Sequence, residues 1–285
     1  MAGAQPLGER LGERLEVDIG GVPEGVKLLP RRRVCSIIAP TRATPPLGRY
    51  RMFYTQCPPR RLRPMLTQVY EISTTEEASA ISAIGVDHVG VLVGDGRFPR
   101  ELPISVASDI GAAIVPPSKF SALFLTCDIS LIASWARELN PSIVHLGASA
   151  ELLSPKDVAS LKRILPGIVV MRSIPVFGEE GVAIACSYVG IADFLLLDSY
   201  RPTDKQIGAL GVTHDWSISR RIVDLARVPV VLAGGLGPDN VAEAIQTVRP
   251  AGVDSKTRTD QDGSHAKDLE RVRRFHEAAR AAAQS

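Results

Sequence analysis

The sequence of 285 residues has few cysteines, few aromatic side chains and no long apolar run. The four cysteines lie at positions 35, 57, 127 and 186, a spacing typical of neither a metal site nor a disulfide framework. No apolar run approaches the roughly 18 residues that a transmembrane helix needs. We therefore predict a cytoplasmic protein with reduced cysteines, without a bound metal ion and without a membrane partner.

Positive charge is concentrated in the first part of the chain. Residues 1–64 contain 12 Lys or Arg against 5 Asp or Glu, and 9 of the 21 prolines. This segment lacks the continuous apolar core of a secretory signal. Its few aromatic residues, Tyr50, Phe53 and Tyr54, are too sparse for a nucleic-acid stacking platform. We predict a basic, poorly ordered N-terminal extension and no nucleic-acid partner; a nucleic-acid-binding arm is the alternative.

From Met65 onward, short apolar β-branched runs alternate with helical patterns, which is typical of βα units and a parallel sheet. The predicted strands are Thr67–Ile72, His88–Val93, Ala122–Thr126, Ile143–Leu146, Ile168–Arg172, Phe194–Leu197, Val228–Leu232 and Gly252–Ser255. The predicted helices begin near Thr75, Ile104, Ser130, Pro155, Gly178, Trp216 and Pro238, and the last spans His265–Ala283. Eight such units in about 220 residues match a (β/α)₈ TIM barrel. We predict this α/β barrel for residues 65–285, with a doubly wound sheet as the alternative.

Two loops near the end of the chain favour a bound phosphate. The loop after the seventh predicted strand contains Gly234 and Gly235 and leads into a helix, so bare N–H groups and the helix dipole can face an anion. The loop after the eighth strand carries Lys256 and Arg258 among small hydroxyl residues, which donate charge-assisted hydrogen bonds. These are the loops that bind phosphate in many barrels of this fold. Their pairing predicts a phosphorylated small-molecule substrate.

The sixth predicted strand ends in a carboxylate, Asp198, followed by Ser199. Functional side chains of such barrels lie at the carboxyl ends of the strands. Asp198 is therefore a candidate general acid, with a structural cap of the following loop as the alternative.

Several segments resemble the phosphoribosylanthranilate isomerase family of tryptophan biosynthesis. Gly234-Gly235-Leu-x-Pro-x-Asn-Val, followed by Gly252-Val253-Asp254, resembles the family's phosphate-binding region. Further similar segments are Glu76-Glu77-Ala78 through Gly90, Phe98-Pro99-Arg100, Leu195 to Ser199, and Gly208-x-x-Gly211-x-Thr213-His214-Asp215-Trp216. The resemblance runs along the whole predicted barrel.

The resemblance implies an Amadori rearrangement of a phosphoribosylamine to a 1-deoxyribulose phosphate, without a metal or organic cofactor. This chemistry needs a general acid at the ribose ring oxygen and a general base at C2′. The resemblance makes Asp198 the acid and Arg100 the ligand of the anthranilate carboxylate. The residues that it assigns to substrate binding are Arg100, Gly234, Gly235, Asp254, Ser255, Lys256 and Thr257.

The expected catalytic base is missing. Where the family has Lys-Ile-Cys-Gly, with the cysteine as base, this sequence has Gln68-Val69-Tyr70-Glu71. Tyr70 takes the place of the cysteine, but a phenol has a reference pKa near 10 and is a poor base at neutral pH. Glu71 is a second candidate base, although neighbouring strand side chains point to opposite faces. A third candidate, His145, is displaced by one residue from the histidine of the family's fourth strand.

The substituted base leaves three functions open. The first is a phosphoribosylanthranilate isomerase with a different base. The second is a related barrel isomerase or lyase that acts on another phosphorylated sugar or aryl amine. The third is a non-catalytic relative that binds a phosphorylated metabolite. For each of them we expect a monomer or a homodimer.

Overall fold

A computed structural model describes residues 65–203, 206–208 and 210–284. The predicted N-terminal extension, residues 1–64, lies outside these described residues.

Strands and helices alternate along the described chain. The strands are β1 Leu66–Val69, β2 His88–Leu92, β3 Lys119–Phe124, β4 Ile143–Leu146, β5 Val169–Pro175, β6 Phe194–Asp198, β7 Tyr200–Arg201, β8 Gln206–Ile207, β9 Val230–Leu232 and β10 Gly252–Ser255. The helices are α1 Thr75–Ile84, α2 Ile104–Ala112, α3 Ile129–Leu139, α4 Pro155–Ile164, α5 Gly178–Ser187, α6 Trp216–Leu225, α7 Val241–Val248 and α8 Leu269–Ala282. One short 3₁₀ helix, Thr257–Thr259, follows β10.

Eight parallel strands close into a barrel in the order β1-β10-β9-β6-β5-β4-β3-β2. The closing pair joins β1 to β10, with Gln68 opposite Asp254. The predicted (β/α)₈ barrel is confirmed, and the doubly wound alternative is wrong because an open sheet has no such closing pair. Because all eight strands are parallel, their carboxyl ends meet at one rim, where the candidate site lies.

Alternating strand residues divide the core into two layers. Side chains that point inward, including Tyr70, Met171 and Leu196, fill the barrel interior. Side chains that point outward, including Val69, Phe124 and Val253, pack against the surrounding helices in a larger apolar cluster. The interior therefore offers no open channel, and a ligand must bind at the rim.

Local capping chemistry sets several helix starts. The Thr74 side chain accepts a hydrogen bond from the Glu77 N–H at the start of α1. Ser154 and Asp157 form a reciprocal capping box at the start of α4, and Pro155 occupies its first turn as predicted. The start predicted at Pro238 is wrong, because α7 begins only at Val241, after a turn.

Two elements were not predicted from the sequence. A short antiparallel hairpin, β7 with β8, follows β6 and leads toward the loop before α6. The 3₁₀ helix after β10 holds Thr257 and Arg258. Within the part of the chain that the structure describes, no helix is both long and apolar enough to span a bilayer.

Candidate active site

The two predicted phosphate loops and the carboxylate of β6 meet in one cleft at the carboxyl rim of the barrel. The residues that line it are Asp198, Gly211, Gly234, Gly235, Leu236, Asp254, Lys256 and Thr257. Five of these residues were predicted from the sequence to bind the substrate, and Asp198 was predicted to be the general acid. The structure thus places an acid and the candidate anion-binding loops against the same small space.

Direct contacts hold the two loops together. The Ser255 hydroxyl donates a 2.7 Å hydrogen bond to the Leu236 carbonyl. A Cβ on Gly237 would lie 2.7 Å from the Cβ of Arg258, so the loop backbones approach closely. This hydrogen bond fixes the relative position of the two loops, and the predicted role of Ser255 in binding the substrate stays a prediction.

Gly234 and Gly235 have backbone φ angles of 85° and 60°, which side chains other than glycine rarely adopt. A Cβ on Gly235 would lie 2.7 Å from the carbonyl carbon of Val212. Asn240 braces this turn, since its side chain accepts from the Gly237 N–H and donates to the Gly235 carbonyl. The turn therefore requires glycine for its conformation and for its packing against the loop before α6.

Asp198 ends β6 and points toward the cleft. Burial raises the pKa of Asp198 to about 7, although hydrogen bonds from the Ser199 N–H and hydroxyl oppose the shift. Gly208 packs against this carboxylate, since a Cβ there would lie 2.3 Å from Oδ2 of Asp198. Near neutral pH a substantial fraction of such a carboxyl group is protonated. A general acid must be protonated before it can donate.

Asp254 is a second carboxyl group in the same cleft, and it is buried. Burial, followed by the negative charge of Asp198, raises the pKa of Asp254 to about 8. Its Oδ1 accepts a 3.1 Å hydrogen bond from Nε2 of Gln68. Near pH 7 Asp254 is therefore mostly protonated and can donate a hydrogen bond to a ligand.

Tyr70 occupies the barrel interior, where its hydroxyl lies 2.6 Å from both Oγ of Ser121 and Nδ1 of His145. His145 also contacts Oγ of Ser173 at 2.7 Å. Two departures from the family pattern thus form one hydrogen-bonded group. Burial raises the pKa of Tyr70 well above 10 and lowers that of His145 to about 3. Neither residue is suited to accept a substrate proton.

Glu71 lies just beyond β1, and the alternation of strand side chains does not extend to it. Its φ of 60° turns the side chain toward the rim. There it accepts two hydrogen bonds from Arg100, 2.5 Å from Nε and 3.0 Å from Nη2. Arg100 also has a left-handed backbone, with φ of 68°. Two residues in a strained conformation therefore meet in one bidentate ion pair.

A second cavity, of about 220 Å³, adjoins this ion pair. Its apolar walls come from Ile72, Leu92 and Leu102, and Glu71 and Arg100 supply charge. Lys256 joins the two spaces, because it lines the cleft while its Nζ lies 3.3 Å from Oε2 of Glu71. The cavity therefore combines apolar walls with one carboxylate and one guanidinium group.

Three residues that contact side chains of the site had no predicted site role, although Gly208 belongs to a segment that resembles the family. Gly208 backs Asp198, and Asp260 and Lys267 support Lys256 from behind. Lys256 and Asp260 are four residues apart, and this spacing was the sign in the sequence that could have predicted their ion pair. The described residues contain no group of three or more His, Cys, Asp or Glu side chains arranged to hold a metal ion.

A sequence profile of the N-(5'phosphoribosyl)anthranilate (PRA) isomerase family matches residues 106–278. The N-(5'-phosphoribosyl)anthranilate isomerase of Methanocella arvoryzae is 35% identical over 210 residues, which are 73% of this chain and 94% of the relative. The crystal structure of the Thermotoga maritima phosphoribosyl anthranilate isomerase superposes with a TM-score of 0.63 at 25% identity, covering 76% of this chain and 99% of that one.

A similar structure, with a TM-score of 0.62 and 24% identity over 76% of this chain and 99% of that one, is a phosphoribosyl anthranilate isomerase in complex with reduced 1-(o-carboxyphenylamino)-1-deoxyribulose 5-phosphate. Fold and site define a (β/α)₈ barrel with a paired-carboxyl cleft at its carboxyl rim. Within that class, the chain belongs to the N-(5'-phosphoribosyl)anthranilate isomerase family.

Proposed function

We propose that this chain is an isomerase that converts N-(5'-phosphoribosyl)anthranilate to the corresponding 1-deoxyribulose 5-phosphate in tryptophan biosynthesis. The observation that carries the proposal is the cleft shared by Asp198, Gly234, Gly235, Lys256 and Thr257. Phosphate held by the glycine turn and Thr257 brings the ribose next to Asp198. The proposal includes a cytoplasmic monomer or homodimer that acts without a cofactor, nucleic acid or membrane.

The first step assigned to the site is ring opening. Asp198 donates its proton to the ribose ring oxygen, the bond from that oxygen to C1′ breaks, and the amine nitrogen and C1′ form an iminium. The pKa of about 7 supports this role, because the carboxyl group retains a proton yet releases it readily. Asp254, with its pKa raised to about 8, is a neutral hydrogen-bond donor for a ribose oxygen.

The second step needs a base that removes the C2′ proton, giving an enolamine that tautomerises to the ketone with reprotonation at C1′. We assign this base to Glu71. Its carboxylate faces the rim, whereas the hydroxyl of Tyr70 is bonded to Ser121 and His145 inside the barrel. The left-handed backbone of Glu71 supports the assignment, since strain of about 1–3 kcal/mol persists at functional positions.

Arg100 is assigned to the anthranilate carboxylate. Glu71 uses the edge of the guanidinium formed by Nε and Nη2. The other edge of a guanidinium, formed by its two terminal nitrogens, matches a carboxylate in the same bidentate way. The adjoining cavity of about 220 Å³ then receives the aromatic ring.

The Glu71–Arg100 ion pair also favours a second candidate, a related isomerase whose amine carries no carboxylate. Glu71 partly neutralises Arg100 and places a negative charge beside the cavity. A neutral aryl amine avoids repulsion from that charge. A comparison of phosphoribosyl derivatives of anthranilate and of aniline decides between the two candidates.

The test measures the loss of anthranilate fluorescence when the purified full chain receives N-(5'-phosphoribosyl)anthranilate generated in situ. We expect wild-type turnover, a loss of about 10²–10⁴-fold in Glu71→Gln, and little change in Tyr70→Phe, which keeps the ring. Rescue of a tryptophan auxotroph is the corresponding cellular result. An inactive wild type would disprove the function, and equal losses in both variants would disprove the assignment of Glu71.

A further inference from the structure

Lys256 contacts the candidate base and the candidate phosphate site at once. Its side chain is 10% exposed, and its Nζ lies 3.3 Å from Oε2 of Glu71 and 3.0 Å from Oδ2 of Asp260. Nδ1 of His265 lies 3.1 Å from the same Nζ. Lys256 also lines the cleft beside the glycine turn. The ammonium group is therefore within reach of two different anions, the Glu71 carboxylate and a phosphate in the cleft.

Asp260 forms a second ion pair with Lys256, in addition to that with Glu71. The other carboxylate oxygen of Asp260, Oδ1, binds Nζ of Lys267 at 2.5 Å, and the Lys267 side chain is fully buried. Lys267 also donates to the backbone carbonyl of Lys256 at 3.3 Å. These contacts hold the backbone of Lys256 in place. We therefore expect its ammonium group to move only between Glu71 and the cleft.

The five charged side chains that meet around Lys256, including its own, carry a net positive charge. Arg100, Lys256 and Lys267 contribute three positive charges, whereas Glu71 and Asp260 contribute two negative charges. A phosphate with two negative charges in the cleft makes the net charge of this group negative. It also competes with Glu71 for the ammonium group of Lys256. A phosphate is the stronger competitor, because it carries more charge and more acceptor oxygens than a carboxylate.

We propose that Lys256 is a positioning residue that responds to the substrate: phosphate in the cleft draws its ammonium group from Glu71 and makes that carboxylate, still paired with Arg100, a stronger base toward the C2′ proton. A nearby positive charge favours the ionised form of a carboxylate, so removal of the ammonium group makes it a stronger base. The inference rests on the proposed function for the role of Glu71. It links binding at one end of the substrate to reactivity at the other.

The first test measures the affinity of inorganic phosphate by calorimetry in the wild type, Glu71→Gln, Lys256→Met and the double variant. We expect Lys256→Met to weaken binding about tenfold. Glu71→Gln should tighten it about two- to fivefold by releasing Lys256, and this gain should vanish in the Lys256→Met background. Matched controls are Lys156→Met and Glu138→Gln, which remove exposed charges on α4 and α3.

An equal gain from Glu71→Gln with and without Lys256 would overturn the proposal, since the effect would then be a general change of charge. Lys256→Arg, which keeps the positive charge, should restore most of the phosphate affinity and so separates charge from folding. Calorimetry needs no turnover. An inactive wild type with intact coupling therefore disproves the proposed function alone, whereas additive effects disprove the Lys256 inference alone.

The second test uses N-ribosylanthranilate, which lacks the phosphate, with added phosphite dianion. Phosphite should raise kcat/KM severalfold in the wild type and in Lys256→Arg, but not in Lys256→Met. A residue that only stabilises the loop would lower phosphite affinity yet leave the rate at saturating phosphite unchanged. Full activation of Lys256→Met by saturating phosphite would therefore overturn the inference.

Discussion

The ring of Tyr70 lies against the backbone of Gly90, where a Cβ would be 2.2 Å from Cδ1 of the tyrosine. The tyrosine, which directly follows β1, therefore fits only because the neighbouring position of β2 has no side chain. Its hydroxyl then reaches His145 on β4 across the barrel interior. The tyrosine that stands in place of the family's cysteine is thus in contact with both β2 and β4, while the adjoining Glu71 lies at the rim.

This packing predicts that Gly90→Ala lowers the free energy of unfolding by about 1–3 kcal/mol, because the added methyl group collides with the ring. In a Tyr70→Cys background the ring is absent and the cost of Gly90→Ala should fall below about 1 kcal/mol. Urea unfolding of the wild type, both single variants and the double variant measures the coupling. Strictly additive losses would show that the two positions do not share this space.

The raised pKa of Asp198 predicts the alkaline limb of the activity profile. A general acid must be protonated, so kcat/KM should fall as pH rises through about 7. Asp198→Asn should lose about 10²–10⁴-fold at the optimum, and its residual activity should lack this limb. Asp262→Asn, at a carboxylate that is 89% exposed, is the control and should keep the wild-type profile. A limb retained in Asp198→Asn would assign the titration to another group.

Asp254 predicts a pH dependence of stability. Its folded pKa of about 8 exceeds the ordinary value of 3.8, so the folded state binds the proton more tightly than the unfolded state. Stability from this group is therefore present at low pH and is lost as pH rises from about 4 to about 8. Asp254→Asn cannot ionise, and its stability relative to the wild type should increase by about 3–4 kcal/mol between pH 5 and pH 8. Thermal unfolding of both proteins at pH 5 and pH 8 measures this change. A stability difference that is the same at the two pH values would contradict the prediction.

Gly235 predicts a specific loss of phosphate binding. Gly235→Ala combines a left-handed backbone with a Cβ 2.7 Å from the carbonyl carbon of Val212, so the glycine turn must shift. We expect inorganic phosphate to bind at least about tenfold more weakly. Gly263→Ala is a matched control, since Gly263 has a φ of 70° but nothing within 4 Å of the added Cβ. The same loss of affinity in both variants would mean that backbone strain alone, rather than the geometry of the turn, is responsible.

Periodic patterns in the sequence determined most of the barrel. Short apolar strands such as Ile143–Leu146 and Gly252–Ser255 occur with the predicted bounds, and caps at Thr74 and Ser154 begin the predicted helices. These features depend only on residues a few positions apart, so the sequence is enough to predict them. The start of α7 was misplaced because Pro238 fits both a first helical turn and the preceding loop.

The direction of Glu71 shows what the sequence alone left undecided. Strand alternation predicted a side chain turned away from the site, whereas a left-handed backbone and the ion pair with Arg100 turn it to the rim. The sequence by itself determined an eight-unit barrel, a carboxylate at the end of the sixth barrel strand and two glycine-rich or basic loops after the last two barrel strands, because each is encoded in a short local pattern. Only the tertiary structure decided that Lys256 contacts Glu71 and that Tyr70 contacts His145, because closure of the barrel brings together residues far apart in the chain.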